Sequence, residues 1–153
     1  MILVSVCGTR NGTQEQPVDN KDFTLSSLDG QEYTLSAYKG NVVLVDFWAT
    51  WCPPCRTSIP VLVSLYEKYQ DQGFMVLGIS NESHTTLTAF RDENEVTYPI
   101  LIDDKKVMQT YGVQSIPNMY IFNKEGKVAK HQVGFSPEME AQFEQFIDSL
   151  LAE

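Results

Sequence analysis

The run Val42-Val43-Leu44-Val45-Asp46-Phe47-Trp48 is apolar throughout except for one carboxyl. A strand covered on one face alternates apolar with polar residues, whereas a strand covered on both faces reads as continuous apolar sequence. This segment is of the second kind, so the chain must supply cover for two faces of a sheet. The residues that follow do so. From about Pro54 to Gln70, Ile59, Leu62, Val63, Tyr66 and Tyr69 recur at helical spacing, with Gly73 just past the end. Phe74 to Ile79 predicts a second buried strand, Thr85 to Glu95 a polar-faced helix, Ile100 to Ile102 a short strand and Lys105 to Tyr111 a short helix. Met119 to Phe122 and Lys127 to Val133 flank a turn at 123–127. Ser136 as N-cap and Pro137 at the first helical position then open a last helix, with Met139, Phe143, Phe146, Ile147 and Leu150 along one face. Upstream, Phe23-Thr24-Leu25 and Tyr33-Thr34-Leu35 are β-prone pieces around Asp29-Gly30, a hairpin dipeptide. Strands alternating with helices predict an α/β architecture with a central mixed β-sheet flanked by helices. No linker divides residues 23–153.

Composition narrows the function classes. The chain has 153 residues with 20 acidic and 11 basic side chains, a net charge of −9. Lysines and arginines are scattered, so the sequence predicts no nucleic-acid partner. No apolar run approaches the roughly 20 residues of a membrane-spanning helix. The cysteines number three, too few and too odd for a disulfide scaffold. Two form the pair Cys52-Pro53-Pro54-Cys55, and Cys7 stands alone.

Residues 1–22 are expected as a flexible segment. Met1 to Val6 is apolar but shorter than the about 7–15 residues of a signal core, and no basic residue precedes Arg10, so no complete secretory signal is read here. Val4-Ser5-Val6-Cys7 loosely resembles the end of a lipoprotein signal, with Val6 where a small residue is usual. On that reading a lipidated Cys7 would anchor the segment as a tether. The plainer reading is a frayed terminus with an incidental thiol.

The pair at 52–55 carries the chemistry. Placed between a strand and a helix, it puts Cys52 at a helix N-terminus, where unpaired N–H groups and the helix dipole favour a thiolate. The three-residue offset brings Cys55 round almost one turn, within reach of a disulfide. Two prolines, with fixed φ and no N–H, suit the first turn. A reactive thiol with a resolving thiol in reach can make and break mixed disulfides. A zinc site would need about four ligands, and only His84 and His131 are at hand, far apart in sequence. A structural disulfide across so small a loop would constrain the unfolded chain little. No metal and no cofactor are expected.

The stretch Val45-Asp46-Phe47-Trp48-Ala49-Thr50-Trp51-Cys52-Pro53-Pro54-Cys55-Arg56 resembles the active-site signature of the thioredoxin superfamily. Pro60 matches the proline that kinks that family's active-site helix, and Gly112-Val113-Gln114-Ser115-Ile116-Pro117 resembles the loop carrying its cis-proline. The preceding hairpin and the extra strand–helix segment from about Ser80 to Asp103 resemble the TlpA/ResA-like branch of bacterial thiol–disulfide oxidoreductases, within the AhpC/TSA-redoxin-like domains. The resemblance implies a thioredoxin-like fold with an N-terminal β-hairpin and a central strand–helix insertion. It implies Cys52 as attacking thiol, Cys55 as resolving thiol and Asp46 as the buried acid that carries the proton. A carboxyl amid Val42 to Trp48 is desolvated, which raises its pKa toward a useful base. Trp48 and Trp51 are expected to flank the site, one beneath it and one more exposed. Trp51, Ile116 and Pro117 are expected to meet the substrate, the Ile116 backbone pairing with an extended segment. The branch implies an extracytoplasmic monomer that reduces disulfides of exported proteins, with cytochrome c maturation the leading role, and is recharged by a membrane or periplasmic thiol reductant.

The sequence departs from this pattern at two places. ResA-like members carry a glutamate three residues after the second cysteine, where this chain has Ser58, and often an asparagine in place of Asp46. Thioredoxins pair the buried acid with a lysine on the next strand, and Val76-Leu77-Gly78-Ile79 has none. Two other functions fit less well. A thiol peroxidase of the peroxiredoxin type wants Pro-x-x-x-Thr-x-x-Cys, but Thr50 sits two residues before Cys52 and Asp46 falls where the proline would stand. A Cu(I)-binding chaperone-type module would use the thiolates with His84 or His131 as a further ligand.

Overall fold

The computed structural model describes residues 21–153; Cys7 and the expected tether up to residue 20 lie outside the described residues. The chain opens with a hairpin of β1 (Thr24–Ser26) and β2 (Glu32–Thr34), with Leu25 opposite Tyr33. Leu35 does not continue β2 as expected but begins a 3-10 turn over Leu35–Tyr38. β3 (Val42–Phe47) follows, buried at every position, then α1 (Pro53–Tyr69) and β4 (Phe74–Ser80). α2 (His84–Asn94) and β5 (Ile100–Ile102) form the inserted segment. α3 (Val107–Thr110), β6 (Asn118–Phe122), β7 (Val128–Val133) and α4 (Glu140–Leu151) complete the order.

The main sheet has the order β5-β4-β3-β6-β7, parallel between β3, β4 and β5 and antiparallel from β3 to β6 to β7. This is the expected mixed sheet. The hairpin is a separate two-stranded sheet joined to β5 by a bridge from Ser27 to Leu101.

Successive side chains of a strand point to opposite faces. Accordingly Val42, Leu44 and Trp48 enter one apolar cluster, while Val43, Val45 and Phe47 enter another. The first is closed by Ile59, Leu62 and Leu65 of α1, Leu87 and Phe90 of α2, and Phe143, Ile147 and Leu150 of α4. The second is closed by Phe23 and Leu25 of the hairpin and Val107 of α3. Each fully buried side chain of this size contributes roughly 1.5–3 kcal/mol. Asp46 falls in the row of Val42, Leu44 and Trp48, so it faces the α1 side.

Two helix starts differ from expectation. α3 begins at Val107 rather than Lys105, because Lys106 takes a left-handed φ of 57° and the Asp103 carboxylate accepts from Val107 N and Met108 N at 2.8 and 2.9 Å. Ser136 makes no side-chain cap; a 3-10 turn at Pro137–Met139 precedes α4.

Candidate active site

The parallel strands β3 and β4 end at the same edge of the sheet, and loops leave both ends toward one surface. The loop after β3 delivers Cys52 as the N-cap of α1, with Pro53 and Pro54 in the first turn. The prolines lack N–H groups, so of the first three helical residues Cys55 alone offers a backbone donor. It donates to Cys52 Sγ at 3.3 Å. Cys52 and Cys55 are joined as a disulfide with Cα atoms 5.2 Å apart. Both are nearly inaccessible, at 3% and 0% exposed, so a partner sulfur can reach only the edge of Cys52. Reduction would leave Cys52 Sγ at the positive end of a 17-residue helix with one N–H aimed at it, which stabilises the thiolate. The neighbouring Arg56 does not add to this directly, because its guanidinium lies over the Phe90 ring, 5.6 Å from the centroid.

On the other side of the disulfide, the Ile116–Pro117 bond is cis, and Cys52 Sγ lies 3.7 Å from the Ile116 carbonyl oxygen. The loop is fastened by Asn118, whose Nδ2 donates to Ser115 O at 3.3 Å while Oδ1 accepts from His131 Nε2 at 2.8 Å. Gly134 N donates to Pro117 O at 2.8 Å. Of the two tryptophans, Trp48 is buried against Phe90 and Trp51 is 70% exposed beside Cys52. The structure thus brings Cys52, Cys55, Ile116 and Pro117 together, with Trp51 at the rim.

Asp46 lies on the same side of the sheet as Cys55, wholly buried, and neither carboxyl oxygen has a hydrogen-bond partner. Burial raises its pKa to about 7. A carboxyl with that value can both accept and return a proton near neutrality. Ser58, which stands where ResA-like members carry glutamate, is buried and donates to Cys55 O at 2.9 Å. It offers no carboxylate. Neither histidine adds a ligand to the pair: His84 Nε2 meets Leu28 O at 2.8 Å, and His131 is turned to Asn118 and stacked on Tyr120. Among the described residues no group of three His, Cys, Asp or Glu side chains could hold a metal ion.

One participant was invisible in the sequence. Glu82, in the loop after β4, accepts from Thr50 N at 2.7 Å and from Thr50 Oγ1 at 2.6 Å. Ser80 Oγ, fully buried, donates to the same carboxylate at 3.0 Å. Glu82 therefore clamps the loop two residues before Cys52. In the sequence, Glu82 is marked only by its place after a parallel strand, at the edge where such sheets build sites. Glu82→Ala is expected to lower stability by about 2 kcal/mol, since charge-assisted hydrogen bonds contribute about 1.5–3 kcal/mol. Denaturant midpoints and faster amide exchange at Thr50 check this.

Comparison with known proteins agrees with the geometry. The AhpC/TSA family profile matches residues 18–131. A thiol-disulfide oxidoreductase ResA from Geobacillus thermodenitrificans is 39% identical over 111 residues, 71% of this chain. The match spans 64% of that relative's length, just under two thirds. Among solved structures, a candidate thiol:disulfide interchange protein DsbE from Chlorobium tepidum superposes with a TM-score of 0.79 at 32% identity, covering 85% of this chain and 93% of the other. The exposed lipoprotein thioredoxin of Streptococcus pneumoniae gives a TM-score of 0.68 at 33% identity, covering 84% and 99%. With a second ResA, from Halalkalibacterium halodurans, 32% identical over 82% of this chain and 73% of that relative, the chain belongs to the AhpC/TSA family and, within the thioredoxin superfamily, to its ResA-like thiol–disulfide oxidoreductases.

Proposed function

We propose that the reduced Cys52–Cys55 dithiol reduces disulfides of exported proteins, cytochrome c maturation being the role the ResA-like relatives suggest. Cys52 thiolate attacks a client disulfide; the Cys52–client bond forms and the client's other sulfur leaves as thiolate. Cys55 then gives its proton to Asp46 and attacks Cys52 Sγ. The client leaves with both sulfurs reduced, and the Cys52–Cys55 bond seen here is the product. A thiol reductant of the membrane or periplasm returns the pair to the dithiol. The observation that carries this reading is the disulfide at the N-terminus of α1, its Cys52 sulfur against the Ile116 carbonyl. That carbonyl is where an extended client segment would pair, with Trp51 and Pro117 bounding it. The likeness to an exposed lipoprotein supports an extracytoplasmic site of action. In this reading residues 1–22 form the tether and Cys7 is the lipidated residue.

Clients can be captured directly. With Cys55→Ser, attack by Cys52 is retained but no internal thiol releases the adduct, so mixed disulfides accumulate. Mass spectrometry of adducts from the source cell is expected to identify exported proteins bearing disulfides. Adducts drawn only from cytosolic proteins would overturn the placement, and the absence of adducts would overturn the reductase reading.

A further inference from the structure

Asp46 is not the only unpaired polar group in its neighbourhood. Trp48 Nε1 and the Tyr98 hydroxyl are also buried without a hydrogen-bond partner. An unpaired buried polar group costs about 1–3 kcal/mol, and such groups are few in native proteins. Three on one side of one sheet call for a reason beyond packing.

Gly78 gathers them. It is the register partner of Asp46 on β4. A β-carbon there would lie 3.1 Å from Trp48 Nε1 and 3.1 Å from Tyr98 Cε2, so the bare backbone is what admits both rings. Tyr98 is held over this spot by the bond from Gly78 N to Pro99 O at 3.0 Å and by edge contact with the Tyr66 ring, centroids 6.3 Å apart. Burial, with the Asp46 charge second, pushes the Tyr98 hydroxyl well above its ordinary pKa. Tyr98 therefore keeps its proton and, like the indole N–H, can act as a donor throughout the working range. The indole N–H and the Tyr98 ring meet over Gly78, beside the strand position that carries Asp46.

We propose that Tyr98 is a positioning residue for Asp46, its hydroxyl, together with the Trp48 indole, turning toward the carboxylate in the reduced protein and releasing it once Cys55 has passed its proton to Asp46. The proposal rests on the reading of Asp46 as proton carrier. In the disulfide form neither donor has a hydrogen-bond partner within the protein. Titratable and charged groups reach this side of the sheet from each element packed there: Cys52, Cys55, Tyr66 and Tyr69 from α1, Tyr33 and the Asp29–Arg91 ion pair from the hairpin and α2 in the cleft that Tyr98 shares with Tyr66, and Arg56 and Lys130 over the outer rings Phe90 and Phe143. The buried residues of α2 and α4 here are apolar.

The test is a pH profile. Glutathione is placed on Cys52 as a mixed disulfide at low pH, the pH is jumped, and release of glutathione is followed in wild type, Tyr98→Phe, Asp46→Asn and the double variant. Loss of one donor to a carboxylate raises the midpoint of the acid limb by about one pH unit, roughly a tenfold slower release on that limb. Asp46→Asn leaves Cys55 to ionise unaided and moves the limb up to that of the thiol itself, and Tyr98→Phe then adds nothing. A limb moved by Asp46→Asn but unmoved by Tyr98→Phe overturns the role of Tyr98 and leaves that of Asp46 intact. A limb left in place by Asp46→Asn overturns the proton-carrier reading itself. A Tyr98 that only packs would alter stability and leave the limb in place.

Discussion

Cys52→Ser is expected to abolish reduction of insulin disulfides, while Cys55→Ser forms an adduct once and stops. The asymmetry follows from the two environments. Cys52 is the N-cap residue, its sulfur receives the Cys55 N–H, and it is the half of the pair with an accessible edge. Cys55 is fully buried inside the first turn, out of reach of a client sulfur. A serine hydroxyl does not ionise near neutrality and cannot replace the thiolate as nucleophile. The loss would not be a consequence of unfolding. A disulfide closing a loop this short stabilises by about 2 kcal/mol on the chain-entropy relation, against about 5–15 kcal/mol for an ordinary domain. Circular dichroism and denaturation of the reduced variants check that point, and retained insulin reduction in Cys52→Ser would remove the pair from the mechanism.

What the sequence makes legible, and what it hides, divides by range. Strand β3 is read from its own composition, because a strand covered on both faces is apolar almost throughout, Asp46 being the one exception. The start of α1 is read to within a residue from Pro53 and Pro54, which suit a first turn. The short helix after β5 is misjudged because Lys105 and Lys106 are acceptable helix formers, while the Asp103 carboxylate sets the true start by capturing two N–H groups downstream. The end of β2 is misjudged for a related reason: Leu35 has strand propensity, but its N–H bonds to Phe23 O and the chain then turns in a 3-10 helix. The hidden parts of the site are all contacts between distant segments. Glu82 meets Thr50 across 32 residues, and neither lies in a periodic pattern. Gly78 looks like a weak spot in β4 until the rings of Trp48 and Tyr98 are seen beside it. The absence of a lysine there is legible; what fills the space is not, since Tyr98 precedes Pro99 in a stretch that reads as a loop.

Asp46→Asn is expected to make the oxidised protein more stable at about pH 8 and to leave it nearly unchanged at about pH 4. The carboxyl titrates near its ordinary 3.8 in the unfolded chain and at about 7 when folded, because burial disfavours the charge. Between those values the folded protein holds a proton that the unfolded chain has released. Wild-type stability therefore falls as pH rises through this window, by about 4 kcal/mol for a shift of about three units at roughly 1.4 kcal/mol each. The penalty is absent below the unfolded value and complete above the folded one. Asparagine carries no charge to desolvate and shows no such decline. Using the oxidised protein keeps Cys52 and Cys55 from titrating, so the difference between urea curves across the window reports Asp46 directly. Parallel declines in both proteins would show that other groups carry the titration. If the decline is confined to wild type, then the same substitution should slow resolution by Cys55 near neutrality while initial attack by Cys52 changes less. A burial cost retained at a functional position is the expected trade of stability for activity, because the carboxyl becomes a usable base only where the fold makes its charge expensive.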